Sequence, residues 1–169
     1  MDQGVINFAV YEDGVEYLGA ADITLPDVTM LTQSISGAGI AGNVEAVILG
    51  HIEAMTLGIN FRTMTPQCVS LSAPRRHNID LRVAQQEDDP VAGKIKSVAV
   101  KHVMVVTPKS LKGGTVAPAS PSNSSGEYAV SYWKTYIDGK KVREIDPLNY
   151  IFEVDGVDYL APVRAALGK

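Results

Sequence analysis

Apolar residues take every second position in Met55-Thr-Leu-Gly-Ile-Asn-Phe-Arg62 and again in Ile79-Asp-Leu-Arg-Val83. That is the period of a strand with one face on a core and one face wet. Strand character recurs over residues 6–11, 15–20, 28–35, 95–107, 128–137, 141–146 and 148–154, with Tyr128, Val130, Tyr132 and Tyr136 expected on one face of the fifth of these. Three Asp-Gly pairs, Asp13-Gly14, Asp138-Gly139 and Asp155-Gly156, each sit between aromatic and β-branched segments. This dipeptide tolerates positive φ at both central positions of a two-residue turn, so each pair predicts a tight antiparallel hairpin. Few connections are long enough for parallel crossovers. The pattern therefore predicts a mainly β, antiparallel protein, in which sheet edges and self-association become the first functional question.

Helical signals are confined to two places. Thr65-Pro-Gln-Cys-Val-Ser-Leu-Ser-Ala-Pro74 offers a threonine cap, a proline in the first turn and a closing proline, and predicts a short helix over 66–72. A second helix is expected within 158–167. Residues 109–126 are poor in large apolar side chains and rich in turn formers, which predicts an exposed, mobile loop. Its Asn123-Ser-Ser triplet matches a glycosylation acceptor by the pattern alone.

A chain of 169 residues, 46% hydrophobic and 20% charged, is read as one domain over 1–169 with enough apolar residues for a core. The N-terminus carries neither the basic region nor the apolar run of a signal peptide, and no apolar stretch is long enough to span a bilayer. The expectation is a protein folded in the cytosol, without membrane insertion. A net charge of −4 argues against a basic, nucleic-acid-coating role.

Candidate chemistry is sparse. Gly37-Ala-Gly39-Ile-Ala-Gly42 fits the spacing of a dinucleotide-binding turn and follows a strand. The sequence after it contains Gly50 and soon passes into an alternating strand, and Ile59-Asn-Phe-Arg62 stands where a ribose-binding acid belongs. The six residues read instead as a glycine-rich loop able to order on meeting a partner. Cys68 with His51, His77 or His102 lacks a nucleophile signature, and Cys68 is expected to be a small buried hydrophobe. His102 is expected on a strand facing solvent or an interface, Arg75-Arg76-His77 as a surface basic patch able to touch an acidic neighbour, and Glu87-Asp88-Asp89 before Pro90 as a solvated turn. No cofactor or metal is called for.

The segment Ile6-Asn-Phe-Ala-Val-Tyr-Glu-Asp-Gly-Val-Glu-Tyr-Leu-Gly19, then Ile23-Thr-Leu-Pro26, the glycine loop at 37–42, Tyr136-Ile-Asp-Gly-Lys-Lys-Val-Arg-Glu-Ile-Asp-Pro-Leu-Asn149 and Val154-Asp-Gly-Val-Asp-Tyr-Leu160 together resemble the major tail tube proteins of P2-like contractile phages. That family is also found in R-type bacteriocins and related contractile injection systems. The match runs in order over nearly the whole chain, and its closing block is its most specific part. The resemblance implies an antiparallel β-sandwich or barrel-like subunit with one short flanking helix and an extended stacking loop. Six such subunits would form a ring, and stacked rings a hollow conduit inside a contractile sheath. Implied partners are other copies of the chain, a sheath protein, tape-measure and baseplate or tube-initiator proteins, and DNA as passing cargo. The implied location is the virion tail or bacteriocin particle, assembled in the bacterial cytoplasm. The stacking loop corresponds to residues 36–47, with Gly37, Gly39, Ile40, Gly42, Asn43 and Val44 as its contact residues. The alternative from another class is a monomeric β-barrel that binds a small ligand, with Tyr132, Trp133 and Tyr136 as wall residues.

Overall fold

The computed structural model describes residues 1–16 and 19–169. Its strands are β1 (Asp2–Glu12), β2 (Val15–Glu16), β3 (Ala20–Thr24), β4 (Met30–Ile35), β5 (Val44–Ile52), β6 (Met55–Phe61), β7 (His77–Asp89), β8 (Lys94–Lys112), β9 (Ser125–Ile137), β10 (Lys140–Asp146), β11 (Ile151–Val154) and β12 (Val157–Asp158). Two short helices, α1 (Pro66–Leu71) and α2 (Ala161–Ala166), complete the fold. Every strand pairing among the described residues is antiparallel. Most strands join one sheet in the order β12-β11-β10-β9-β8-β7-β1-β2, while β6 pairs with both β9 and β3. The hairpin β4-β5 forms a sheet of its own.

β9 explains how one sheet becomes a sandwich. The same edge of β9 takes β6 along residues 125–130 and β10 along residues 133–137, while β8 pairs along the other edge throughout. At the crossover, Val105 faces Tyr132 but Val106 faces Val130, so Ser131 is an extra residue on β9. An extra residue bends and twists the strand and reverses the phase of its side chains. Tyr128 and Val130 consequently face the core before the bulge, and Trp133 and Thr135 after it. Tyr132 and Tyr136 are turned to the opposite face, contrary to the single aromatic face expected from simple alternation. The long strands β8 and β9 thus pass through both layers.

The core lies between the layers. Leu57, Ile59, Phe61, Tyr128 and Val130 meet Val10, Ile79, Leu81, Met104, Trp133 and Ile145, with Cys68 and Leu71 of α1 closing one side. The Thr65 hydroxyl accepts the Cys68 amide at 3.2 Å and caps α1 as its sequence predicts. Burial pushes the Cys68 thiol above its ordinary range, which disfavours the thiolate.

Two of the three histidines sit otherwise than their sequence context predicts. His102 faces inward rather than outward: Trp133 Nε1 donates to its Nδ1 at 3.2 Å, and Thr135 Oγ1 lies 3.2 Å from the same nitrogen. Burial, with the Arg143 charge adding to it, lowers His102 to about 4, so the ring is neutral near pH 7. A strand between two others has a wet face and a core face only, and position 102 shares the parity of the buried Val100, Met104 and Val106, so the alternation of β8 assigns it to the core. His77 is fully buried, not part of a surface patch. It is bonded through Nδ1 to Glu12 and through Nε2 to the Ala73 carbonyl at 2.9 Å, and Arg75 reaches Glu12 at 3.3 Å. His51 belongs to β5.

Several boundaries also move. The acids Glu87, Asp88 and Asp89 continue β7, and the turn begins at Pro90. β8 runs on to Lys112 and β9 starts at Ser125, so the expected loop shrinks to residues 113–124. That loop is tied down: Thr115 N–H donates to Ser122 O at 2.8 Å and Asn123 N–H to Arg62 O at 3.2 Å. The strand expected over 15–20 falls partly on Tyr17 and Leu18, which lie outside the described residues. Those expected over 28–35 and 148–154 begin later, at Met30 and Ile151.

Candidate assembly interface

The glycine-rich loop is the tip of the β4-β5 hairpin. Ile35 pairs with Val44, and residues 36–43 make the connection. Ile40 N–H donates to Gly37 O and Gly42 N–H to Ile40 O, each at 3.1 Å. Gly39 and Gly42 have φ of 93° and 128°, a region that residues with a Cβ avoid. The loop leads into a strand, not a helix, so the phosphate-cradling geometry of a dinucleotide fold does not arise here. Gly37, Gly39, Ile40, Gly42, Asn43 and Val44 are all exposed, and a Cβ on any of these three glycines meets nothing within 4 Å inside the subunit.

The strands that carry the tip are more informative than its glycines. Leu31, Ile35, Ile40, Val44, Val47, Ile48 and Leu49 are all exposed large apolar side chains on one two-stranded hairpin. A lone two-stranded hairpin is marginal in water, and an apolar surface of this extent marks a contact surface. The hairpin is anchored through its base. Glu53 N–H donates to Thr29 O at 2.8 Å, Ile52 packs on the core, and Gly50, with φ of 70°, lies directly beneath Leu160. The apolar period does not predict β5, because Val44-Glu-Ala-Val-Ile-Leu-Gly-His-Ile52 shows no alternation. A strand that does not lay one face on its own core has no reason to alternate.

Two further borders are open among the described residues. β3 pairs with β6 on one edge only. β7 stops opposite Val106, so residues 107–112 of β8 pair with β9 and have no strand on the other side. Pro108, which has no N–H to give to a ladder, stands where β7 ends. Between these borders the strands β3, β6, the first half of β9 and the end of β8 present a polar outer face that includes Asp22, Thr24, Thr56, Asn60, Glu127 and Lys112.

A surface groove of about 850 Å³ lies on the other layer, lined by Ala9, Ala84, Ala99, Arg82, Lys101 and Tyr136 among others. The interior that a small-ligand barrel would need is filled by core side chains, Trp133 among them. Tyr132 is committed instead to Glu144, to which it donates at 3.0 Å, and Tyr136 lies beneath the Lys134 and Lys101 ammonium groups. Among the described residues no group of His, Cys, Asp and Glu could hold a metal ion. No helix among them is long and apolar enough to cross a membrane.

The family described as phage tail tube protein FII matches residues 2–168. This chain belongs to that family. The tail tube protein of Escherichia phage P2 is 27% identical to it over 164 residues, covering 94% of this chain and 93% of that one. Among solved structures, a chain of the cryo-EM sheath/tube terminator of PVC, an extracellular contractile injection system, in its extended state, aligns with a TM-score of 0.55 at 9% identity. The alignment covers 78% of this chain and 94% of that one. A chain of the PVC sheath-tube complex in the extended state gives 0.52 at 11% identity, over 77% and 88%. At such identities these two likenesses bear on the fold, and they agree with the antiparallel β-rich architecture described above. The tail tube function rests on the family match across the chain.

Proposed function

We propose that this tail tube protein acts as a single domain that closes into hexameric rings, and that the rings stack through the β4-β5 hairpin into the hollow inner tube of a contractile particle. The observation that carries the proposal is the hairpin itself: seven large apolar side chains on two strands and their tip, exposed on the subunit. A second copy would supply their cover. Residues 37–44 at the tip, Gly37, Gly39, Ile40, Gly42, Asn43 and Val44 among them, are the part that reaches the adjacent ring.

The physical logic needs no catalysis. An exposed strand edge is a template for uncontrolled pairing, and a closed ring removes it by pairing each edge with the next subunit. Stacking is head to tail, does not close, and therefore grows a filament whose length must be set from outside the chain. A tape-measure protein fits that need, and a baseplate or tube initiator fits the need for a first ring. A sheath protein would pack around the outside; the PVC complex unites a sheath with its tube. DNA would pass as cargo without specific binding, consistent with the net charge of −4. Subunits folded in the host cytoplasm would stay soluble until nucleated, because ordering the hairpin tip costs entropy that only a partner's surface repays.

Negative-stain microscopy of the purified protein at high concentration, seeded with sheared tube fragments, tests this directly. The expected image is elongating tubes built of stacked sixfold rings. Monodisperse small particles that ignore the seeds would overturn it.

A further inference from the structure

His102 is a buried titratable ring with no part in the proposed ring closure or stacking. We propose that His102, Trp133 and Arg143 form an acid-operated latch in the core: a proton taken up at His102 Nδ1 breaks the Trp133 hydrogen bond, sets a second cation beside Arg143 and opens the subunit. The latch is built within one copy and does not rest on the tube reading.

Three observations converge, and the first is placement. Leu81 of β7 pairs with His102 of β8, His102 with Thr135 of β9 and Thr135 with Arg143 of β10, so one transverse row crosses four strands. In the neighbouring row Met104 pairs with Trp133 and Trp133 with Ile145. Trp133 therefore stands diagonally between the histidine and the arginine. Its ring centroid lies 5.8 Å from that of His102, and the guanidinium carbon of Arg143 sits 4.0 Å from the Trp133 centroid.

The second is the hydrogen bond itself. An indole nitrogen can only donate, so the Trp133 Nε1–H bond of 3.2 Å requires His102 Nδ1 to be bare, with the neutral ring's proton on Nε2. The Thr135 hydroxyl lies 3.2 Å from the same nitrogen and can donate to it as well. A proton on Nδ1 removes this acceptor. Trp133 is 3% exposed and His102 7%, so solvent does not replace the lost bond, and a buried donor is left with its desolvation uncompensated.

The third is charge. Lys101 and Val103 on the same strand point to the opposite face, and the neighbours on β7 and β9, Leu81, Trp133 and Thr135, are uncharged. Among the described residues, Arg143 of β10 is the charged group that acts on the ring. Burial holds the Arg143 guanidinium below its ordinary range without removing its charge, so an imidazolium there would meet a poorly hydrated like charge. Both penalties fall on the folded chain alone. The unfolded chain binds the proton near the ordinary value of 6.5 and the folded one resists to about 4, so stability is whole above the ordinary value and is lost as pH falls toward about 4.

The test compares denaturant unfolding of the free subunit with that of His102→Gln across pH. Glutamine keeps an acceptor for Trp133 and cannot take up the proton, and His51 and His77 are present in both chains, so the difference between the chains isolates His102. From about pH 7.5 to about pH 4.5 the folding constant of the parent should fall roughly fiftyfold further than that of the variant. Arg143→Met should reduce the parent's fall, because the folded ring then accepts its proton more readily. Trp133 is the chain's single tryptophan, so its indole N–H resonance can be followed without assignment by mutation. In the parent it should keep its hydrogen-bonded position as pH drops below 6.5 and lose it only with unfolding. Parallel pH curves for parent and His102→Gln would overturn the latch. If that variant does not fold, the Arg143→Met series and the indole signal decide: a fall unchanged by Arg143→Met, or an indole resonance that titrates near the ordinary histidine value in a folded chain, would overturn it equally.

Discussion

Deleting residues 37–42 is expected to leave a folded subunit that cannot elongate a tube. The cut joins Ser36 directly to Asn43, a two-residue connection between the paired Ile35 and Val44, which is a length that hairpins accept. The excised residues are exposed and lie outside the core cluster, and loop shortening changes closure entropy by well under about 1 kcal/mol per halving. Thermal unfolding should therefore move by no more than about a few degrees. Elongation from wild-type seeds should fall to background, since the segment proposed to reach the adjacent ring is gone. Seeded growth followed by light scattering, with circular dichroism as the folding control, checks both halves. Tubes of normal length from the deletion chain would show that stacking uses another surface.

The second large effect concerns the base of the same hairpin. Gly50 has φ of 70°, and a Cβ there would lie 2.2 Å from Leu160 Cδ2 and 2.8 Å from its Cγ. Leu160 is itself buried just before α2. Gly50→Val thus combines a left-handed backbone that β-branched residues resist with a displaced core side chain, at an expected cost of about 2–4 kcal/mol. Leu160→Ala in the same chain should remove the steric part and leave the backbone part, so the two substitutions should be strongly non-additive. Denaturant midpoints of the four chains measure this. A Gly50→Val protein as stable as its parent would mean that the hairpin base does not seat on the C-terminal segment.

The parts of the fold that are legible in the sequence are those where local chemistry and burial agree. Met55, Leu57, Ile59 and Phe61 alternate because β6 lies on the core, and each is buried as its period predicts. All three Asp-Gly turns appear, with Asp13, Asp138 and Asp155 at φ near 50° and their glycines positive as well. The helix after Thr65 ends within one residue of expectation. The illegible features are non-local. The extra residue at Ser131 reverses which of Tyr132 and Trp133 faces inward, and no feature of the local sequence distinguishes that bulge from continuous alternation. β3 and β5 escape the apolar period for a related reason: a five-residue edge strand, and a hairpin strand uncovered on its own subunit, have little core to impose a period. The same lack of intramolecular burial that hides β5 in the sequence is what makes it a candidate interface in the structure. The turn-forming composition of 109–126 predicts a mobile loop for Lys109 and Lys112, whereas Pro108 inside a strand is the available sign of an edge.

Amide hydrogen exchange on the free subunit and on sedimented tubes measures the central claim, that these borders are completed only by further copies. Residues 31–48 of the hairpin should exchange quickly in the free protein and become protected in tubes, together with residues 20–24 and 109–112, while the core strands around Leu57 and Met104 stay protected in both. Equal protection of the hairpin and of both edges in the two states would contradict the account.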